Sequence, residues 1–370
     1  MKVILVGPSY PYRGGISHYN TRLYNEFIIK GHDCSILNFK RMYPSILFPG
    51  KTQYDESDKV FEAPSNRLLD SINPFSWHKT ARFIKAQNAD AVIFHWWQPF
   101  FGPGYNTILK KIENTSKRIF ICHNVRPHEE SFIDSLLSSM VFKNVDRFLV
   151  HSEEDKVDLL EMYPNAVIEK NFHPIYDIFE NGGKHRVEKG NDKEAPSNIL
   201  FFGYIRKYKG LEHLLNAMPK ILNEVDVRLT IAGEFYDEKK PYLDLIRDHE
   251  ISNKINIIDK YIPNEEVEDY FMNSDLVVIP YNHATQSGIV QISYSFGVPV
   301  VVTRVGGLPE VVRDGETGYI VEPGSSSAVA DAVIDFFKNN KSEDFKNNIA
   351  EHKHLFSWEN LVVTLENLVR

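Results

Sequence analysis

Cysteine is scarce: only Cys34 and Cys122 occur in 370 residues, too few for a disulfide framework and in keeping with a reducing compartment. Asp-x-Asp, Cys-x-x-Cys, His-Glu-x-x-His, EF-hand and Walker patterns are all missing, so the sequence offers no support for a bound catalytic metal. Long apolar runs are missing too. Val3–Val6 is broken at once by Gly7-Pro8, too short for a signal peptide or a membrane span, and the expected location is cytoplasmic. There is no basic excess either. A formal net charge of −8 argues against general nucleic-acid binding, which needs cations to neutralise phosphates.

What is present is enough apolar material, 42% of residues, to fill large cores. The length exceeds what one core usually serves, which predicts two domains. Strand and helix signals alternate through both halves, so the expected class is α/β, with two doubly wound Rossmann-like domains facing a cleft. A polar, charged stretch over 181–197 reads as the linker between a first domain, 1–180, and a second, 198–356.

In the first half, Lys2–Val6 reads as a strand and is followed by a turn-rich loop holding Gly14-Gly15. A helix opens near Ile16 and ends at Lys30-Gly31. Gly-x-Gly-x-x-Gly is absent, and two readings stand side by side: the glycines let backbone approach a bulky anion, or they serve only the turn. Predicted strands Ala91–His95, Arg118–Cys122 and Val145–Val150 each deliver a histidine, at positions 95, 123 and 151. One strand-end histidine usually packs or caps. Three at the carboxyl edge of one sheet point to a pocket. Segments 40–51 and 67–85 mix basic and aromatic residues, among them Trp77 and Phe83. They fit a membrane interface or an extended acceptor, or aromatics packed inward, and the inward packing is preferred.

In the second half, the strand Asn198–Phe202 leads through Gly203–Gly210 into a helix over Leu211–Leu222. Arg206, Lys207 and Lys209 near that helix start would act with its N–H groups on a phosphate, and solvated surface cations are the alternative. The strand Leu276–Ile279 precedes a polar loop and a helix beginning near Ser287-Gly288. Ile289, Ile292 and Phe296 are expected on one buried face, with the stop at Gly297 before Pro299. Val305–Glu310 is a glycine-rich turn into another helix.

Several of these segments, in this order, resemble family 4 retaining glycosyltransferases of the two-Rossmann-domain (GT-B) fold. The carriers are Gly14-Gly15-Ile16, the HN-x-x-PHE-like Cys122–Glu129, the FG-x-I-R-x-YKG-like Phe202–Gly210, the GG-x-PE-like Val305–Val312, and Ser357-Trp358-Glu359. The resemblance implies a C-terminal helix over 357–370 that crosses back to the first domain. It implies that Arg206 and Lys209 bind the donor diphosphate from the second domain, that Gly15 approaches it from the first, and that His123 sits at the transferred sugar. Tyr261-Ile262 falls where the family contacts the nucleobase, and Glu310 is a further donor-site candidate.

The departure from the family lies at Pro280–Gly297. Aligned on Gly288, two family glutamates fall on Thr285 and Ser293, which leaves Thr285, Gln286, Ser287 and Ser293 as replacement contacts. The resemblance implies no cofactor, a nucleotide diphosphate sugar as donor, and a glycan or lipid-linked saccharide as acceptor. It further implies surface-polysaccharide synthesis, with peripheral contact at the inner face of the membrane. A sugar-nucleotide epimerase on the same fold, or a non-catalytic binder of sugar nucleotides or glycans, remains the alternative.

Overall fold

The computed structural model describes residues 1–48, 50–126, 132–180 and 196–370. Outside it fall most of the expected linker, over 181–195, and Pro127, His128 and Glu129 of the HN-x-x-PHE-like segment. The chain divides into two compact units, one made of Met1–Glu56, Val60–Pro174 and Ser357–Arg370, the other of Ser57–Lys59 and Ile175–Phe356.

The first unit is built on a seven-stranded sheet. Its strands are β1 (Lys2–Val6), β2 (Asp33–Arg41), β3 (Ser65–Asp70), β4 (Ala91–Trp96), β5 (Lys117–Cys122), β6 (Arg147–Val150) and β7 (Ile168–Lys170). Spatial order is β3-β2-β1-β4-β5-β6-β7, and every pairing is parallel. Parallel sheets bury both faces, and the strand sequences show it. In β1, Ile4 and Val6 enter one core with Phe94, Phe120 and Val150, while Val3 and Leu5 enter another with Ile93, Ile121 and Leu149. Trp358, Leu361, Val362, Leu365 and Leu368 of the last helix, Trp358–Val369, close this second core.

The second unit repeats the plan with β8 (Ser197–Phe202), β9 (Val227–Ala232), β10 (Ile255–Ile258), β11 (Leu276–Ile279), β12 (Val300–Thr303) and β13 (Gly318–Val321). The order is β10-β9-β8-β11-β12-β13, again parallel throughout. In each sheet chain order reverses beside the first strand, at β1/β4 and at β8/β11. Loops at the carboxyl ends of those strands flank a crevice where doubly wound folds take ligands.

Two expectations need correction. Residues 175–180 belong to the second unit rather than to a first domain ending at 180. The Ile175 N–H donates to Phe356 O at 3.1 Å, and the Tyr176 ring packs where a side chain on Gly288 would lie. The helix Gly288–Ser295 buries more than one face. Val290 through Ser295 are all buried, because Gln291, Ser293 and Ser295 carry no charge to keep in water, whereas Ile289 and Phe296 are half-buried. The inward packing preferred for segment 67–85 is seen: the segment contributes to β3 and to the helix Pro74–Gln87, and Trp77 packs inward with its Nε1–H donating to Asp70 O at 2.7 Å.

Leu365 is fully buried in the core that the last helix closes. Leu365→Ala is expected to lower stability by about 2–5 kcal/mol in urea denaturation, the usual cost of a Leu-sized cavity. A loss below about 1 kcal/mol would mean that the helix is not part of this core.

Candidate functional site

At the carboxyl edge of the first sheet, histidines gather around one tyrosine. His95 lies near the end of β4, His123 follows β5 and His151 follows β6, as the sequence predicts. A fourth, His173, follows β7 and escapes sequence reading because that strand is only three residues long. The Tyr19 ring, from the helix Gly15–Ile29, meets all four edge-on at centroid distances of 5.6, 4.8, 5.7 and 5.1 Å for His95, His123, His151 and His173. Trp358 of the last helix closes on the same ring at 4.9 Å.

Burial determines the charge here. Desolvation pulls His95 down to about 3, His151 down to about 3 with His173 adding to it, and His173 down to about 4. His123 is lowered well below its ordinary value by desolvation and then by His95, His151 and His173. The cluster is neutral near pH 7. Its tautomers follow from its partners: His151 Nδ1–H donates to Asn171 O at 2.8 Å, which leaves Nε2 to accept from the Tyr19 hydroxyl at 3.2 Å. His173 Nδ1–H donates to Pro174 O at 2.9 Å. His123 is half-buried, while the other three are closed off.

Gly14, at φ 104°, is the N-cap of the helix Gly15–Ile29, and no neighbour approaches the place a Cβ would take. The left-handed backbone explains the glycine, and the space beside it is open. Gly15 is the first residue of that helix.

In the second unit the loops after β8, β11 and β12 are locked together. The Asn282 N–H donates to Tyr208 O at 2.7 Å, Thr303 Oγ1 donates to Tyr281 O at 2.6 Å, and the Gly307 N–H donates to Thr285 O at 2.9 Å. At Gly306, with φ 52°, a Cβ would lie 1.9 Å from Ala284 O, so only glycine lets the GG-x-PE-like turn approach this closely. Ser287 caps the helix Gly288–Ser295 by accepting from the Ile289 N–H at 3.3 Å.

Lys209 is buried among these loops. A side chain on Gly203 would sit 3.2 Å from its Nζ and 3.3 Å from Ile289 Cδ1, which places the amine beside the first turn of the capped helix. Its Nζ is 5.5 Å from the Tyr281 ring centroid, and the Arg206 guanidinium is 5.0 Å from that of Tyr236. Neither cation has a carboxylate partner among the described residues. Desolvation, then Arg206, lowers Lys209 to about 7. A phosphate placed here would supply the missing counter-charge.

The remaining predicted residues divide. Tyr261 joins Tyr204 and Tyr236 in an aromatic group, with Tyr204 4.6 Å from Tyr236 and 6.2 Å from Tyr261, and Ile262 is buried beside it. The Gln286 Nε2 and Gln291 Oε1 atoms are buried without hydrogen-bond partners among the described residues. Thr285 is buried, and its loop is pinned by Gly307. Glu310 is half-buried in the short helix Leu308–Val311. Ser293 differs from expectation: it is fully enclosed and its hydroxyl donates to Val298 O at 2.7 Å, which leaves no hydroxyl hydrogen for a ribose. Asn20, Tyr19, Tyr236 and Tyr281 are absent from the sequence-based set, and nothing in their spacing marks them.

Two parallel sheets in Rossmann order with loops of this composition define a GT-B glycosyltransferase fold. Sucrose-phosphate synthase from Thermosynechococcus elongatus superposes with a TM-score of 0.75 at 15% identity, covering 100% of this chain and 98% of that one. Anabaena HepE in complex with UDP-glucose gives 0.74 at 13%, covering 99% and 100%. Residues 184–352 match the family described as glycosyl transferases group 1. N-acetyl-alpha-D-glucosaminyl L-malate synthase of Bacillus anthracis is 23% identical over 365 residues, 95% of this chain and 91% of that relative. Further curated relatives are spanned over 44–60% of their lengths.

The neutral imidazoles predict acid lability. Each has a folded value below its unfolded one, so the unfolded chain binds more protons, and stability present above about pH 6.5 is lost as pH falls towards 4. Asp155, raised to about 6 chiefly by burial, opposes this with one proton. His95, His123, His151 and His173 outnumber it, leaving a net of about three protons and a slope of roughly 4 kcal/mol per pH unit between pH 6 and 4. Urea midpoints measured at half-unit intervals check this, and a flat profile would contradict neutral burial.

Proposed function

We propose that the protein transfers a hexose from a nucleotide diphosphate sugar to a hydroxyl of a glycan or lipid-linked saccharide, retaining the anomeric configuration. In this reading the transfer needs no metal ion and serves the synthesis of a surface polysaccharide. The observation that carries the reading is Lys209, a buried amine beside Arg206 and a helix N-terminus with no carboxylate among the described residues to neutralise it. As the bond from the anomeric carbon to the phosphate oxygen breaks, negative charge builds on the diphosphate. Two cations and the positive end of that helix then stabilise it. The bond from the acceptor oxygen to the anomeric carbon forms on the same face, and the acceptor's proton passes to the departing phosphate.

The Tyr204–Tyr236–Tyr261 group suits a nucleobase. The UDP-glucose bound by Anabaena HepE supports a nucleotide-sugar donor, and His123 is assigned to the transferred sugar. The N-acetylglucosaminyl malate synthase relative makes small hydroxy acids a necessary arm of any acceptor screen. No helix among the described residues is long and apolar enough to cross a membrane. Exposed Ile46, Leu47 and Phe75 on the first unit support peripheral contact with the inner membrane face.

Lys209→Ala is expected to weaken nucleoside diphosphate binding by about 1.5–3 kcal/mol in calorimetry and to leave free nucleoside nearly unaffected. In the unmutated protein a bound diphosphate restores the charged amine. Binding therefore takes up a proton above pH 7 and weakens as pH rises beyond it, and the variant loses that slope. Equal losses for nucleoside and diphosphate would remove Lys209 from the phosphate site.

His123→Ala should lower turnover by roughly 10²-fold at saturating donor and acceptor, the scale of one lost transition-state contact, with nucleotide affinity unchanged. Near-normal turnover would take His123 out of the site.

A further inference from the structure

His123 is the one partly open histidine of the cluster, and a chain of hydrogen bonds determines which of its nitrogens carries the proton. The chain starts at a carbonyl, which can only accept. Asn20 Nδ2 donates to Pro8 O at 2.9 Å, which fixes the amide with Oδ1 turned to His95 Nε2 at 2.9 Å. An amide oxygen also only accepts, so His95 carries its proton on Nε2 and its Nδ1 is bare. His95 Nδ1 lies 3.0 Å from His123 Nε2, so His123 must donate there. The two rings are 14° from coplanar with centroids 5.3 Å apart, the arrangement of an edge-to-edge N–H···N bond between rings in one plane.

His95 packs closely on Gly7, where a Cβ would fall 2.7 Å from its Cδ2. The neutral state of both rings leaves one proton for each. What remains is His123 Nδ1, which has no hydrogen-bond partner among the described residues.

We infer that Asn20 and His95 are positioning residues that hold His123 as its Nε2–H tautomer, so that the bare Nδ1 accepts a hydrogen bond from a substrate hydroxyl. This rests on the assignment of His123 to the sugar site. The arrangement separates the cluster into two classes. His151 and His173 carry their protons on Nδ1, and His95 and His123 carry theirs on Nε2. A hydroxyl donor fits the open nitrogen. A carbonyl or phosphate oxygen, which brings no proton, does not.

Long-range proton–nitrogen correlation spectra of the histidine-labelled full chain at pH 7.5 test this directly, because bare and protonated ring nitrogens resonate far apart. The expected spectrum has His123 and His95 protonated at Nε2, with His151 and His173 as the opposite tautomer for internal reference. Asn20→Asp puts a carboxylate on the His95 Nε2–H and favours the doubly protonated ring. His95 Nδ1–H then donates, and His123 must accept at Nε2 and carry its own proton on Nδ1.

The expected result is that reversal, with turnover reduced roughly tenfold, about the value of one hydrogen bond, and with nucleotide affinity unchanged. His123 protonated at Nδ1 in the unmutated protein would overturn the inference whether or not the variant folds, as would a reversed tautomer with full turnover. Near-normal turnover of His123→Ala would instead remove the sugar-site assignment and leave the tautomer lines where they are expected, so the two failures read differently.

Discussion

Burying both faces of a parallel sheet is the constraint on which the rest depends. With Val3 and Leu5 committed to one core and Ile4 and Val6 to the other, a strand has no side chain to spare for chemistry along its length. Polar function is pushed to the strand ends. There the carboxyl edge supplies loops and the N-terminus of the next helix supplies unpaired N–H groups. The four histidines and the Arg206–Lys209 pair occupy equivalent places in their own sheets for this reason.

The two sites answer the cost of burial in different ways. In the first unit the titratable groups give up charge: imidazoles enclosed with a tyrosine, an asparagine and backbone carbonyls stay neutral, and their hydrogen bonds specify tautomers instead. In the second unit a lysine keeps its amine buried at the edge of ionisation, with Arg206 pushing in the same direction as desolvation. A neutral cluster discriminates among hydrogen-bond donors. An under-neutralised cation selects for negative charge.

The sequence carried the strand-and-helix plan of both units because the strands are apolar runs bounded by turn residues. Leu276–Ile279 coincides with its expected limits. β3 was not legible, since as an edge strand it exposes Asn66 and Arg67 and lacks the apolar pattern. At the site, His95, His123 and His151 could be read as a group from their places at strand ends. Asn20 could not, because its role comes from a helix folding over the sheet edge, and no spacing records that contact. Ser293 was misread for a related reason. A hydroxyl in a helix looks free in sequence, while its partner, Val298 O, becomes visible only when the helix end turns back.

The last helix belongs to the first unit, and this sets an order on synthesis. Trp358 packs on Tyr19 and Leu361 seals the core around Val3, Leu5 and Ile93, yet these residues leave the ribosome after the whole second unit. At synthesis rates of about 5–20 residues per second, the interval from Pro174 to Trp358 lasts roughly 10–40 s. Throughout that time one face of the nascent sheet has Tyr19, Leu23 and Phe27 of the helix Gly15–Ile29 but not the last helix to cover it. The nascent chain thus presents an apolar surface that the finished protein never shows, and it does so for longer than the second unit takes to emerge.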